Sequence, residues 1–430
     1  MIDYLKKADD ASIEIDQEVT DAVRDILSDV RERGDDALFD LTKRFDGVEI
    51  DDFRVGEDEI EAARAELTDA EMETIDNTID NVRAFHEEQR KYISGFEKEF
   101  ETGVRLGQRI VPVESAGTYV PGGRHPLVAA PAMSIVPAAV AGVDRIVTCA
   151  PPQEDGSIQA AQLYAMDQAG ADEIYRIGGA QAIGAMAYGT ETVPEVAKVT
   201  GPGNVFTTEA KRQVFGHVGI DFLAGPSEVL ILTDETADPE LVATDLLAQA
   251  EHDPNSRPIL VSTDRSIAEE TVDELYDQLP DLRTEDVARE CWEENGEVVV
   301  ADTLEAAVDV VNDYAIEHLQ VMIDEPRSIV DDLSNYGSLF LGEHSPVVFG
   351  DKAVGTNHSL PTLEVARYSG GIWAGTYLKT LTHQEATEDG AARIAPWAAK
   401  ICELEGTHAH QLSAEARLRP DISPDYGPQE

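Results

Sequence analysis

The sequence has few basic residues, and this shortage limits the class of protein. Its 430 residues include 33 Lys and Arg against 85 Asp and Glu, so the formal net charge is −52. A field of that sign repels phosphate backbones and anionic lipid, so we expect neither nucleic acid nor a membrane surface as a partner. Because dissolved salt screens such self-repulsion, the composition indicates a protein of a halophile's salt-rich cytoplasm.

Cysteine is scarce as well. Cys149, Cys291 and Cys402 contain no Cys-x-x-Cys pair and are odd in number, which excludes a Cys-rich zinc site and a disulfide framework and predicts a reducing, cytoplasmic location. The segment MIDYLKKADD lacks the apolar region of a signal peptide. The uncharged stretch 126–143 is interrupted by prolines and rich in alanine, which favours a buried helix over a membrane span.

Strand-like and helical patterns alternate over most of the chain. Helical spacing covers residues 19–44 and 57–101 and returns in roughly the last sixty residues. Short β-rich runs occur between, several followed by helical patterns: RIVTCA (145–150), EIYRIGG (173–179), EVLILTD (228–234), PILVST (258–263), EVVVAD (297–302) and SLFLG (338–342). This alternation predicts an α/β fold with two parallel sheets, and the length is sufficient for two or more domains.

Three glycine-rich turns mark the middle of the chain, namely GTYVPGG (117–123), GGAQAIGAM (178–186) and GPGN (201–204). The second follows a predicted strand and opens a predicted helix, where backbone amides can receive an anion or a dinucleotide. None of the three is a GxGxxG fingerprint, and glycine is also common wherever a strand turns sharply. The turns therefore allow a cofactor site without requiring one.

Polar side chains with metal-binding chemistry follow this region. Gln249 and His252 stand one helical turn apart in LLAQAEHDPNS, so both side chains leave the same face. Other candidates are His318 beside Glu317, His358 downstream of Asp351, and the pair His408 and His410. A mixed set of nitrogen and oxygen donors suits Zn²⁺ or a similar divalent ion. Spacing alone leaves open that these are unrelated surface residues.

In their order and spacing, these stretches resemble motifs of the histidinol dehydrogenase family, from about residue 15 onward: GTYVPGG, GGAQAIGA, GPGNVFTTEAK, DFLAGPSEVLIL, LLAQAEHDP, EHLQ, GTNHSLPT and LEGTHAH. The family contains NAD-dependent zinc enzymes that oxidise L-histidinol to L-histidine through L-histidinaldehyde, in two hydride transfers that complete histidine biosynthesis. The resemblance implies two incomplete Rossmann-like domains. It assigns 1–15 to an N-terminal arm, 16–118 with 229–372 to the first domain, 119–228 to the NAD-binding domain, and 373–430 to a helical segment.

The resemblance also implies roles for individual residues. One zinc ion per subunit would be held by Gln249, His252, Asp351 and His410. The adjacent acid and base would be Glu317 and His318. The substrate would contact all four zinc ligands and, in addition, His318, Ser227, His358 and Glu405. The NAD cofactor would contact Tyr119, Gln181 and Asn204.

The family is a homodimer whose C-terminal segment crosses to the partner, so Glu405 and His410 would complete the other subunit's site. His408 has no assigned counterpart and is predicted to be a surface residue. The sequence departs from the family pattern at two places: Ile316 replaces a usual proline ahead of Glu317, and the stretch 363–386, which bears on the dimer contact, varies.

Two other classes of protein remain open from the residues alone. A zinc hydrolase could use the same ligands with Glu317 activating a water molecule, and it would need no NAD. A metal-dependent binding protein with two α/β lobes would bind a ligand without turnover. The GPGN and GGAQ turns favour the dehydrogenase over both.

Overall fold

The computed structural model describes residues 2–8, 16–122 and 127–418. These form two compact units, the first from residues up to 90 together with 113–377, the second from residues 91–112 together with those from 378 onward. Parts of four predicted features lie outside the described residues: most of the N-terminal arm, Gly123 of the first glycine-rich turn, Pro126 of the uncharged stretch, and the C-terminal segment beyond residue 418. In the described ranges, no helix is long and apolar enough to cross a membrane.

The strands of the described residues are β1 (Ile2–Lys6), β2 (Phe96–Glu101), β3 (Val104–Pro112), β4 (Ser115–Tyr119), β5 (Arg145–Ala150), β6 (Glu173–Arg176), β7 (Lys198–Thr200), β8 (Gly219–Ile220), β9 (Glu228–Thr233), β10 (Arg257–Ser262), β11 (Glu297–Ala301), β12 (Ile316–Met322), β13 (Tyr336–Leu341) and β14 (Leu378–Ala386). The α-helices are α1 (Gln17–Arg33), α2 (Asp35–Phe45), α3 (Glu57–Glu66), α4 (Asp69–Lys91), α5 (Ala130–Ala141), α6 (Ala160–Ala169), α7 (Gly179–Tyr188), α8 (Val205–Val214), α9 (Pro239–Ala250), α10 (Arg265–Gln278), α11 (Glu285–Asn295), α12 (Leu304–Tyr314), α13 (Val347–Lys352), α14 (Glu388–Glu405) and α15 (His408–Glu415).

The first unit contains a six-stranded sheet in the order β1-β11-β10-β9-β12-β13, parallel except for the antiparallel edge strand β1. Its strands β9, β11 and β12 are buried along their whole length because helices cover both faces. In β9, Val229 and Ile231 pack with residues of α9, α10 and α11, while Leu230 and Leu232 pack with residues of α12. The alternation of side chains along a strand thus supplies two separate cores.

The five-stranded sheet of the same unit is entirely parallel, in the order β6-β5-β4-β7-β8. The uncharged stretch forms the buried helix α5, as predicted. Helix α1 carries its apolar stripe, including Val23 and Leu27, into the core that contains Ile183 of α7. Helices α1 and α2 therefore pack with this sheet, whereas the expected boundaries place residues 16–118 with the other sheet. The apolar stripe on α1 has to be buried against a neighbouring element, and here that element is α7 of the five-stranded sheet domain.

The second unit is a three-stranded antiparallel sheet, β14-β3-β2, together with α14 and α15. Two segments predicted to be helical are strands here: residues 96–101 form β2, and residues 378–386 form β14. Phe96 and Phe100 explain the first error, because residues four apart share a face in a strand as well as in a helix. β14 is fixed by its partner, with nine residue pairs running from Leu378 with Pro112 to Ala386 with Val104.

Numbered along the chain, the parallel strands of both sheets of the first unit follow the order 3-2-1-4-5. This is the strand order of the dinucleotide-binding Rossmann fold, and it places a switch in chain direction between strands 1 and 4. The switch lies between β4 and β7 in one sheet and between β9 and β12 in the other. The predicted α/β class, with parallel sheets and a C-terminal region that contains helices, is confirmed.

Candidate functional site

The predicted acid and base lie at the amino edge of the six-stranded sheet, at its switch between β9 and β12. Glu317 and His318 are the second and third residues of β12 and are buried. The Ser227 hydroxyl donates a hydrogen bond of 2.7 Å to Glu317 Oε2, and the Glu228 backbone N–H donates one of 2.8 Å to the same oxygen. The carboxylate is thus held by two donors from the start of the neighbouring strand.

His318 connects this edge to Asp351 on α13. Its Nδ1–H donates to the Glu228 carbonyl oxygen at 2.9 Å, and its Nε2 lies 3.4 Å from Asp351 Oδ1. Burial opposes protonation of the ring, but the Glu317 and Asp351 carboxylates outweigh it and raise the pKa of His318 well above its usual value. Burial likewise opposes ionisation of Asp351, but the hydrogen bond and charge of His318 hold the pKa of that carboxyl far below its usual range.

Two further histidines surround Asp351. His358 Nδ1–H donates to the Asp351 backbone carbonyl at 2.7 Å, and burial lowers the pKa of this ring. His252 follows α9 and is exposed at part of its surface. The surrounding protein nevertheless displaces water from the ring, and this desolvation lowers the pKa of His252, whereas the Asp351 charge raises it. Both imidazoles are therefore favoured in the neutral form, which is the form that binds a metal ion.

Gln249, in the last turn of α9, is buried, and its amide Nε2 has no hydrogen-bond partner among the described residues. Over those same residues, no three His, Cys, Asp or Glu side chains group closely enough to hold a metal ion. The first unit supplies an amide, a neutral imidazole and a carboxylate in Gln249, His252 and Asp351, and this donor chemistry fits a divalent cation. The remaining predicted ligand, His410, lies on α15 of the second unit, where Glu405 ends α14 and His408 is exposed.

The three residues predicted to contact NAD line one cleft of about 1450 Å³ at the carboxyl edge of the five-stranded sheet. Tyr119 ends β4, and its hydroxyl oxygen accepts a hydrogen bond of 3.1 Å from the Gly179 N–H at the start of α7. Burial raises the pKa of Tyr119 to about 12, so the hydroxyl stays neutral. Asn204 caps α8, and the Gln181 amide Nε2 is buried without a hydrogen-bond partner in the described part of the chain.

The turn after β7 is held by buried charges. Gly201 has φ of +113°, and a side chain there would collide with the Tyr119 carbonyl oxygen, so this position needs glycine. Its N–H donates to Asp221 Oδ2 at 2.8 Å, and Lys211 Nζ donates both to the Gly201 carbonyl at 2.9 Å and to Asp221 Oδ1 at 2.6 Å. The turn that leads to Asn204, a residue of the cleft lining, is therefore fixed without a GxGxxG motif.

A short connection joins the two edges. The seven residues 221–227 lead from the end of β8 to the start of β9, so they begin with Asp221, which fixes the Gly201 turn, and end with Ser227, which binds Glu317. Seven residues reach at most about 25 Å when fully extended. The Asp221 carboxylate at the Gly201 turn and the Ser227 hydroxyl at Glu317 are therefore tied together by one short segment.

Sequence reasoning missed a buried ion-pair network behind the acid–base pair. Arg257 donates to Glu228 Oε1 at 3.2 Å and to Glu297 Oε1 at 3.1 Å. The other Glu228 oxygen accepts the Leu363 N–H at 3.1 Å, at a turn where Leu363 has φ of +56°. Burial, with the nearby Glu317 charge, raises the pKa of Glu228 to about 7 against the Arg257 charge. The available signal was a glutamate as the first residue of two otherwise apolar strands, EVLILT and EVVVA.

Ile316, where a proline was expected, is buried as the first residue of β12 and pairs with Tyr336 of β13. The preceding Ala315 has φ of +47°, which turns the chain into the strand. The approach to Glu317 is therefore fixed by strand pairing in place of a proline ring.

Rossmann-type strand order, a cleft at the carboxyl edge of one sheet and an acid–base pair at the amino edge of the other are the features of an α/β protein of the oxidoreductase class. A family model described as histidinol dehydrogenase matches residues 10–418, and the chain belongs to that family. The histidinol dehydrogenase of Methanothermobacter thermautotrophicus is 46% identical over 409 residues, covering 95% of each chain. A protein of Shouchella clausii named histidinol dehydrogenase homolog is 45% identical over 421 residues, covering 97% of this chain and 99% of that protein.

A solved structure supports the same assignment. The crystal structure of histidinol dehydrogenase from Elizabethkingia anophelis superposes with a TM-score of 0.89 at 37% identity, covering 96% of this chain and 93% of that one. The family resemblance expected from the motifs is therefore confirmed over nearly the whole length of the chain.

Proposed function

We propose that the chain oxidises L-histidinol to L-histidine through L-histidinaldehyde, passing two hydrides to two NAD molecules. Family membership supports the substrate, and the seven-residue connection between cleft and acid–base pair is the observation that carries the geometry. The balanced reaction takes L-histidinol, two NAD⁺ and one water to L-histidine, two NADH and three protons. Each oxidation therefore needs a group that removes a proton as hydride leaves.

His318 is the residue that transfers protons in this proposal; because the Glu317 and Asp351 carboxylates favour its protonated ring, it must first lose that proton before it accepts one from the substrate. Its Nδ1–H is committed to the Glu228 carbonyl, which leaves Nε2 as the atom that exchanges protons with the substrate. Glu317, fixed by Ser227 and the Glu228 N–H, activates the water that adds to the aldehyde before the second hydride leaves. His358 and Ser227 then border the substrate, as the resemblance implies.

Zinc is the proposed metal, held by Gln249, His252 and Asp351 of one subunit and His410 of the partner. When bound, it would hold the amino and imidazole nitrogens of the substrate and so orient the alcohol carbon. The neutral His252 ring, which lies within the influence of the Asp351 charge, supports this assignment.

The site is proposed to be shared across a homodimer, with Glu405 and His410 reaching the other subunit's site. Mixed dimers of a His410→Ala chain with a His318→Ala chain should then regain one working site in each dimer. If the mixtures stay inactive while they still assemble, the sharing of sites is wrong.

High salt is the proposed working solvent, in a halophile's cytoplasm, because the net charge of −52 has to be screened. A thermal melt across KCl concentrations should show the midpoint rising with salt. Equal stability in dilute buffer would contradict the adaptation and leave the activity untouched.

The deciding experiment follows NADH absorbance after L-histidinol and NAD are mixed with the protein in molar KCl, with and without a chelator. We expect two NADH per histidinol, abolished by the chelator and restored by zinc. Ester or amide cleavage without NADH would favour the hydrolase, and ligand affinity without turnover would favour the binding protein.

A further inference from the structure

Asp46 carries a carboxylate in the cofactor cleft for which the described residues supply no hydrogen-bond partner. It is the residue that follows α2, where its backbone N–H donates to the Thr42 carbonyl at 2.9 Å. No described residue donates a hydrogen bond to its side chain, and its Oδ2 is shut off from solvent. Burial raises the pKa of Asp46 to about 6, with no neighbouring positive charge to oppose the shift.

Other carboxylates of the cleft lining differ from Asp46 in this respect. Asp29 is held by the Arg33 guanidinium at 2.6 Å, and Asp155 accepts from Ser157 at 2.6 Å, while Glu154 is exposed to water. An enclosed carboxylate without donors costs stability, because it has lost water without gaining a hydrogen bond. Asp46 is thus the lining acid with most to gain from a ligand that supplies hydroxyl donors.

The surroundings of Asp46 suit the adenosine part of a dinucleotide. Its Oδ1 lies near Gly178, where a Cβ would be only 3.2 Å away, at the start of α7. The ring of Phe45 also lines the cleft and is 49% exposed, which offers a flat apolar surface to a base. A carboxylate beside such a surface can accept hydrogen bonds from both hydroxyls of a ribose, the role that an acidic residue has in Rossmann domains.

One neighbour favours the opposite specificity. Arg44 stacks on the Phe45 ring with its guanidinium carbon 4.9 Å from the ring centre, and an arginine near a ribose can accept a 2′-phosphate. Arg44 is exposed, so water screens its charge, whereas Asp46 is partly enclosed. The lining also contains six carboxylates against this single guanidinium: Asp25, Asp29, Glu32, Asp46, Glu154 and Asp155. The net field of the cleft therefore opposes an additional phosphate.

We propose that Asp46 binds the ribose hydroxyls of the adenosine half of the dinucleotide and thereby makes the cleft select NAD over NADP. This inference rests on the proposed use of NAD. Asp46 acts on cofactor choice, and the acid–base pair of the other sheet is unaffected by it. Within the described ranges no hydrogen bond fixes the Asp46 side chain, so rotation about Cβ–Cγ can turn either oxygen to the ligand.

Isothermal titration of the full chain with NAD and with NADP, in molar KCl at pH 7.5, tests the proposal without turnover. Asp46→Asn should weaken NAD binding by roughly tenfold or more, the size expected for a lost hydrogen bond to a charged group, and leave NADP binding nearly unchanged. The matched control is Glu154→Gln, which removes one charge from the same lining and should leave the ratio of the two affinities unchanged. Asp46→Ala, measured in parallel, guards against an effect peculiar to asparagine.

Equal losses of NAD and NADP affinity in Asp46→Asn would overturn the proposal, because the carboxylate would then contact a part that both nucleotides share. An unchanged NAD affinity in Asp46→Asn would also overturn it. The same change of the affinity ratio in Glu154→Gln would overturn it too, because the effect would then come from the net charge of the cleft and not from Asp46 itself. Wild-type protein that binds neither nucleotide would overturn the proposed cofactor along with this inference. Failure of the variants alone, with wild type binding NAD, would overturn only the assignment of Asp46.

Discussion

The six-stranded and the five-stranded sheet share one strand order but collect their polar side chains at opposite edges. In the five-stranded sheet, Tyr119, Gln181 and Asn204 line a cleft beyond the carboxyl ends of the strands, at the switch between β4 and β7. In the six-stranded sheet, Ser227, Glu317 and His318 lie at the amino ends, at the switch between β9 and β12.

The carboxyl edge of the six-stranded sheet is closed by its own side chains. Asp234 follows β9, and its two oxygens accept from the Thr236 N–H at 2.9 Å and from the Asp324 N–H, beyond β12, at 3.0 Å. Two backbone N–H groups at this switch, those of Thr236 and Asp324, are therefore already used and are not available to a phosphate. Both sheets have the strand order that predicts a ligand site at the carboxyl edge. Local hydrogen bonds determine at which of the two sheets this edge is available to a ligand.

Replacing His318 by Ala should have the largest effect and should separate the two edges. We expect kcat to fall by roughly a thousandfold, the usual size for loss of a general base, while NAD affinity stays at the wild-type value. Steady-state NADH formation and NAD titration measure the two quantities. Gln181→Ala is the converse variant, with weakened NAD binding and unchanged zinc affinity; a large loss of NAD affinity in His318→Ala would contradict the separation.

Gly201→Ala should have an intermediate effect, confined to the five-stranded edge. The new Cβ would meet the Tyr119 carbonyl oxygen in addition to adopting a positive φ, so both NAD affinity and stability should fall, the latter by about 2–3 kcal/mol. Gly216→Ala is the matched control, since Gly216 also has a positive φ, +100°, but open space where the Cβ would lie. Equal stability losses in urea unfolding would show that the collision is relieved at no cost.

Asp46→Asn should give the smallest effect, a stability difference that depends on pH. The folded pKa of Asp46, about 6, lies above that of an unfolded aspartate, roughly 4, so the folded wild type loses stability as pH rises from about 4 to about 6 and no more above that. The stability of the variant relative to wild type should therefore be lowest near pH 4, rise up to pH 6 and stay level to pH 8, with a total gain on the order of 1 kcal/mol after allowance for solvent screening. Melts at these pH values in molar KCl measure this, and a constant difference would contradict the assigned titration.

Much of the fold could be predicted because buried strands are visible in the sequence as short apolar, β-rich runs. The run RIVTCA coincides with β5, and EVLILTD is one residue longer than β9. The meeting of Ser227 with Glu317 could not be predicted from spacing, because it depends on the register in which His318 pairs with Val229. Arg257 gave no signal by itself, since a basic residue before an apolar strand is ordinarily solvated.

The small strand β1 affects the order in which the chain can assemble. It pairs with β11, which a ribosome makes only after the whole five-stranded sheet and both β9 and β10. β1 therefore has no strand to pair with until β11 has been made. Pairing of the two strands, which closes this edge of the sheet, joins segments that are far apart in the sequence and is a late step. A tag fused ahead of residue 2 would act on this closure of the six-stranded sheet.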